Sequence, residues 1–93
     1  MPIFITENGL ADSQDKLRKD FIRDHLIWLH KATEEGVDVK GYFHWSLIDN
    51  FEWALGFEPR FGLIEIDYKT QKRIFRPSSL YYSEITKTNQ LIT

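Results

Sequence analysis

Two glutamates of this 93-residue chain stand in places where a carboxylate invites a chemical reading. Glu7 closes the apolar stretch Phe4-Ile5-Thr6 and is followed at once by the turn signal Asn8-Gly9. Glu52 lies in the segment WSLIDNFEWALGFEPRF (45–61), where Trp45, Phe51, Trp53, Phe57 and Phe61 are interleaved with Asp49, Asn50 and Arg60. An ionised carboxylate can attack as a nucleophile or accept hydrogen bonds from hydroxyl groups. Flat aromatic faces beside carboxylate and amide oxygens suit a sugar, whose C–H faces stack on indole while its hydroxyls donate to the oxygens. Residue types alone leave a second reading open. Glu7 would then be a solvated strand-end charge, and 47–61 a core-lining loop with ordinary salt bridges.

The elements around these residues decide whether they can meet. Residues 2–7, PIFITE, read as a short buried strand, continuous in apolar and β-branched content. A polar loop, 8–14, leads to a helix predicted from Asp15 to Glu35. Its apolar stripe is Leu17, Phe21, Ile22, Trp28, Leu29 and Ala32, with Trp28 expected in the core and Leu26 and Ile27 off the stripe. Gly36 suits the stop. Residues 39–46, VKGYFHWS, read as a second strand. Strand, helix and strand in this order form a βαβ unit with parallel pairing. Both glutamates then lie beyond the C-terminal ends of the two strands, on one side, with Trp45 between them. In parallel α/β barrels that end carries the active site. GLIEI (62–66) and KRIFR (72–76) flank a turn and predict an antiparallel hairpin. Pro77 suits the first turn of a last helix, to about Ile85, and 86–93 is expected to be a flexible tail. The whole reads as a single α/β domain over 1–93.

Composition narrows the function classes. A net charge of −2 predicts neither nucleic acid nor an anionic membrane as partner. With no cysteine there is no disulfide framework and no thiolate metal site, and His25, His30 and His44 are too scattered to predict a metal centre. No cofactor is expected. The absence of a basic-then-apolar leader, or of a run near ~20 apolar residues, points to a cytoplasmic location.

Two stretches carry a resemblance. ITENG (5–9) is similar to the nucleophile motif of family 1 glycoside hydrolases, the retaining β-glucosidases and β-galactosidases. GYFHWSLIDNFEWALGFEPRFGLIEID (41–67) resembles the eighth barrel strand of that family and the loop after it. With the RPSSLYYSEI ending, the likeness is strongest to archaeal and thermophilic bacterial members and covers about residues 2–86. It implies that Glu7 is the catalytic nucleophile and that Trp45 floors the glycone subsite. Glu52 would accept hydrogen bonds from outer sugar hydroxyls, Trp53 would donate its indole N–H to another, and Phe61 would line the pocket. It also implies a cis Trp45–Ser46 peptide. Members that act on 6-phosphorylated sugars place Ser, Lys and Tyr where this chain has Glu52, Pro59 and Phe61. A carboxylate at 52 would repel a phosphate, so the resemblance implies β-linked, non-phosphorylated glycosides.

The same resemblance marks what is missing. A retaining glycosidase needs two carboxylates about 5–5.5 Å apart, and the family's acid/base belongs to an Asn-Glu-Pro motif that 1–93 does not contain. The expected fold is therefore the C-terminal quarter of a (β/α)8 barrel: strand 7, helix 7, strand 8, a hairpin and helix 8. Alone it should be inactive. Its open strand edges predict self-association or a need for the rest of the barrel. A non-catalytic, self-associating remnant and one half of a split enzyme are the rival readings.

Overall fold

The structure, a computed structural model, describes residues 1–91. It orders β1 (Ile3–Asn8), α1 (Arg18–Glu34), β2 (Val39–His44), a 3-10 turn (Trp53–Leu55), β3 (Ile64–Asp67), β4 (Lys72–Phe75) and α2 (Pro77–Thr88). β1 and β2 pair in parallel, with Ile3 opposite Val39, Phe4 opposite Gly41 and Asn8 opposite His44. β3 and β4 form the expected hairpin, from Ile64 opposite Phe75 to Asp67 opposite Lys72. The result is a small α/β unit of two two-stranded sheets and two helices. A parallel bridge between Ile48 and Ile64 ties the loop after β2 to the hairpin.

The α1 boundaries follow from local chemistry. Asp15 has φ 57°, so the helix does not begin there as predicted. The Asp12 carboxylate instead accepts the Leu17 N–H at 2.8 Å, and the helix starts at Arg18. At the other end Gly36 takes φ 101°, a conformation only glycine enters cheaply. Asp15 serves the other helix: its two oxygens accept the Ser78 backbone N–H at 3.0 Å and the Ser78 hydroxyl at 2.6 Å, at the N-terminus of α2. α2 runs three residues beyond the predicted Ile85, to Thr88, before Asn89 closes it in the left-handed region. Of the predicted tail, residues 92 and 93 lie outside the described residues.

Burial corrects three expectations. Trp28 is not core: it is 65% exposed, and Leu17 is exposed as well. At about 100° per residue, Trp28 stands some 120° around the helix from Ile22, the fully buried position. Leu26 lies about 40° from Ile22 and is half-buried, so it belongs to the covered face that the stripe had left it out of. The strand at 2–7 is not buried either, since Ile3 and Phe4 are exposed. The apolar core among the described residues is Ile22, Leu63 and Ile66.

Polar side chains do much of the remaining joining. Arg18, fully buried, pairs with Asp15 and donates to the carbonyls of Leu10, Asp12 and Arg60. One guanidinium thus ties the loop after β1 to the loop after β2. Asp15 is raised by burial, but the hydrogen bonds from Ser78 and Arg18 outweigh that and hold its carboxyl below the ordinary value.

Candidate active site

Parallel pairing brings the ends of β1 and β2 together. The Trp45 N–H donates to the Asn8 carbonyl at 2.9 Å, one residue beyond Glu7. The Asn8 side-chain oxygen accepts the Tyr42 hydroxyl at 2.8 Å. Gly9 then passes so close to β2 that a Cβ there would sit 1.7 Å from the Trp45 carbonyl oxygen. No other residue can make this crossing without moving backbone. Glu7 is solvent-exposed at the end of its strand. The Trp45 indole N–H donates to Glu52 Oε1 at 3.1 Å. Glu7, Trp45 and Glu52 are therefore gathered at one end of the parallel pair, as the βαβ reading required. The Trp45–Ser46 peptide is cis.

The loop from Ser46 to Gly62 is held by a backbone ladder and by one buried carboxylate. Ser46 N–H donates to the Phe61 carbonyl at 3.0 Å, and Leu63 N–H to the Ser46 carbonyl at 2.9 Å, which places Phe61 beside Ser46. Asp49 has no exposed side-chain surface. Its Oδ1 accepts the Gly62 N–H at 2.9 Å. Its Oδ2 faces Arg60 at 3.0 Å, the Ile66 N–H at 3.3 Å and Arg76 at 3.4 Å. Gly62 allows this approach, since a Cβ there would lie 2.3 Å from the Asp49 nitrogen. Asn50 donates to the Ser46 hydroxyl and the Ile48 carbonyl. Both residues act as loop scaffolding, as their types suggested.

Arg60 had two readings, orienting a site glutamate or stabilising the loop. The structure shows the second: it pairs with Asp49, donates to the Ile66 carbonyl at 2.6 Å and lies 4.3 Å over the Tyr68 ring. Tyr68 meets Phe57 edge-on at 4.8 Å, and Phe57 meets Phe51 at 5.2 Å. Trp53 differs from its neighbours. It has φ 50°, and its ring is 83% exposed, facing solvent rather than packing against Trp45.

Sequence reasoning missed two supporting residues. Arg18 and Arg76 are buried cations, and a charge pattern read along the chain marks them as solvated. His44, at the end of β2, lies 5.8 Å from the Tyr82 ring of α2. Burial, with the Arg18 charge adding to it, pushes its pKa down to about 4. Its ring is thus neutral near pH 7. Burial, with Tyr82 adding to it, raises the Tyr42 phenol. Among the described residues no three His, Asp or Glu side chains converge as metal ligands. No described helix is long and apolar enough to cross a membrane.

With the geometry in place, comparison with known proteins is informative. The profile of glycosyl hydrolase family 1 matches residues 1–91. A Pyrococcus woesei β-galactosidase is 52% identical over 90 residues, which are 96% of this chain and 18% of that protein. β-Glucosidase A of Thermotoga maritima is 46% identical over 98 residues, 96% of this chain and 22% of that protein. The crystal structure of the hyperthermophilic β-glucosidase from Pyrococcus furiosus superposes with a TM-score of 0.96 at 48% identity, covering 99% of this chain and 20% of that one. The chain spans about a fifth of the length of the relatives it matches.

Proposed function

This chain belongs to glycosyl hydrolase family 1, and on that premise we propose that it carries the nucleophile and half of the sugar pocket of a retaining β-glycosidase. The observation that carries the reading is the cluster at the strand ends: Glu7 anchored through Asn8 and Gly9 to Trp45, and Trp45 hydrogen-bonded to Glu52. In this reading Glu7 attacks the anomeric carbon of a β-glycoside. The leaving-group oxygen departs with a proton from a second carboxylate, and water then hydrolyses the glycosyl-enzyme. Trp45 supplies the flat floor under the glycone. Glu52, already accepting one indole N–H, has lone pairs left for outer sugar hydroxyls. Phe61 lines the wall, and Trp53 stands free to swing its N–H towards a bound hydroxyl. Two strands and their connections correspond to strands 7 and 8 of a (β/α)8 barrel.

The substrates are β-linked and non-phosphorylated. A phosphate at Glu52 would meet a carboxylate with no lysine at position 59 to offset it. The proton donor is not among residues 1–93. Glu52 is read as a sugar-binding group, and the chain has no Asn-Glu-Pro. Turnover by 1–93 alone is therefore expected to be undetectable against aryl β-glucosides, since losing a general acid costs about 10²–10⁴-fold before the lost sugar contacts are counted.

The test is a hybrid in which residues 1–93 replace the matching segment of the Pyrococcus furiosus β-glucosidase. It should hydrolyse aryl β-glucosides, and Glu7→Gln should lower kcat by about 10⁴-fold or more. A folded hybrid that is inactive, or one indifferent to Glu7→Gln, sinks the reading. It would favour the rival, a non-catalytic remnant that self-associates, which the thin apolar core supports.

A further inference from the structure

One buried carboxylate closes the loop that carries Glu52 and Trp53. Asp49 stands at the start of that loop, and its side chain has no exposed surface. The donors that reach it come from the far end: the Gly62 N–H at 2.9 Å on Oδ1, and Arg60 at 3.0 Å and the Ile66 N–H at 3.3 Å on Oδ2. Arg76, itself buried, approaches Oδ2 at 3.4 Å and donates to the Gly62 carbonyl at 2.8 Å. Entry to and exit from the span 50–61 are thereby fixed at a single point. The tip of the span is a closed body of its own. Glu52 N–H donates to the Gly56 carbonyl at 2.8 Å, Leu55 N–H to the Glu52 carbonyl at 2.9 Å, and Gly56 N–H to the Trp53 carbonyl at 3.1 Å. Glu52 and Trp53 therefore move together. Among the described residues, the hydrogen bond that joins this turn to the rest of the chain is that of the Trp45 indole to Glu52 Oε1 at 3.1 Å. One bond is a pivot, and a body on a pivot needs a second support. Asp49 supplies it just upstream of the turn. Through Arg60 it also reaches downstream, because Arg60 lies 4.3 Å over the Tyr68 ring and Tyr68 meets Phe57 edge-on.

We propose that Asp49 is a positioning residue for sugar recognition: acting through the loop, it holds the Glu52 carboxylate where it accepts the outer hydroxyls of the glycone, and so sets how strongly the site prefers a sugar that has those hydroxyls over one that lacks them. The proposal rests on the reading of Glu52 as a sugar-binding group and adds the residue that places it. The chemistry of the clamp fits this task better than it fits stability alone. A carboxylate buried beside two guanidinium groups carries a desolvation cost that an apolar plug of the same volume would not. What the charge supplies is direction, since donors from four places on the chain meet two oxygens along fixed lines, and bonds to an ionised acceptor are short and strong.

The experiment uses the hybrid enzyme and compares kcat/KM for an aryl β-glucoside with that for its 4-deoxy and 6-deoxy analogues. The ratio is measured on one preparation, so the folded fraction cancels, and a residue that only supports the fold leaves the ratio unchanged. Asp49→Asn keeps the shape and gives up the charge. It should lower the ratio for at least one analogue about tenfold or more. Glu52→Ala should lower the same ratio, and Asp49→Asn added to it should change that ratio by less than about twofold, because two residues acting through one contact are not additive. A ratio that Glu52→Ala lowers and Asp49→Asn does not overturns the inference and leaves the sugar-pocket reading standing. Additive effects in the double variant overturn it as well, since Asp49 would then act elsewhere. A hybrid without turnover, or ratios indifferent to Glu52→Ala, removes the sugar-pocket reading and this inference with it. Where Asp49→Asn does not fold, Arg60→Gln decides in its place, because it withdraws one donor from the clamp and leaves the carboxylate. A ratio lowered about threefold or more supports the inference, and an unchanged one overturns it.

Discussion

At the scale of single residues, the candidate site depends on groups set back from Glu7 and Glu52. Gly9 is one, because its Cα occupies the only space between the β1 turn and the Trp45 carbonyl. Gly9→Ala should destabilise the fold by about 2 kcal/mol or more, seen as a lower urea midpoint with a shifted Trp45 emission. Asp49 is another. Removing its carboxylate strands Arg76 in a buried site and leaves the Gly62 and Ile66 amides without an acceptor. Asp49→Ala should cost about 3–5 kcal/mol in denaturant melts. His44 gives a pH signature. Its ordinary pKa is near 6.5 and the folded value is about 4, so between these limits the unfolded chain binds the proton that the folded chain refuses. Stability should be complete above pH 6.5 and fall as the pH drops towards 4. For a ring that is not fully enclosed the loss should be about 1–2 kcal/mol. His44→Phe should flatten that limb of the stability-against-pH curve, and an unchanged slope would assign it to another group.

At the scale of elements, α1 shows how a helix can be read correctly in kind and wrongly in face. Its existence, its stop at Gly36 and its place between two parallel strands were legible from periodicity and from one glycine. Its orientation was not, because the helix carries apolar residues on two sides. Leu17, Phe21 and Trp28 define one stripe, and Ile22, Leu26 and Leu29 another. The packing of α1 against α2, with Ile22 fully buried, selects the second. Ile22→Ala should therefore cost about 2–5 kcal/mol, while Trp28→Ala should cost less than about 1 kcal/mol in 1–93. Comparable losses in the two variants would contradict the assigned face. The hairpin was legible to within two residues and the start of α2 to the residue, since a turn-prone run and Pro77 both act locally. That Asp15 would cap α2 from 63 positions away was not.

At the scale of the whole molecule, dimensions of 47 × 28 × 19 Å and a radius of gyration of 14.3 Å describe a shape looser than the roughly 12 Å of a compact domain of this length. Few apolar side chains are buried, and buried arginines and aspartates join what the apolar core does not. The isolated chain should thus unfold at low urea concentration, and the hybrid should raise that midpoint markedly because the sheet face is then covered. Equal midpoints for the two would show that the uncovered face carries no stability cost.

What the amino-acid sequence determined by itself is local or motif-borne. Strand, helix and turn identities follow from periodicity and from Gly and Pro, and the family follows from ITENG and from the long stretch after Gly41. The parallel pairing that brings Glu7 and Glu52 to one end also follows, because a helix between two strands permits little else. The tertiary structure decided which cations are buried, which face of α1 is covered, and that Arg60 serves Asp49 rather than a site glutamate. These outcomes depend on contacts between residues far apart in the chain. Solvation, charge pairing and burial are properties of a position in space, and a residue's type and its sequence neighbours do not specify them.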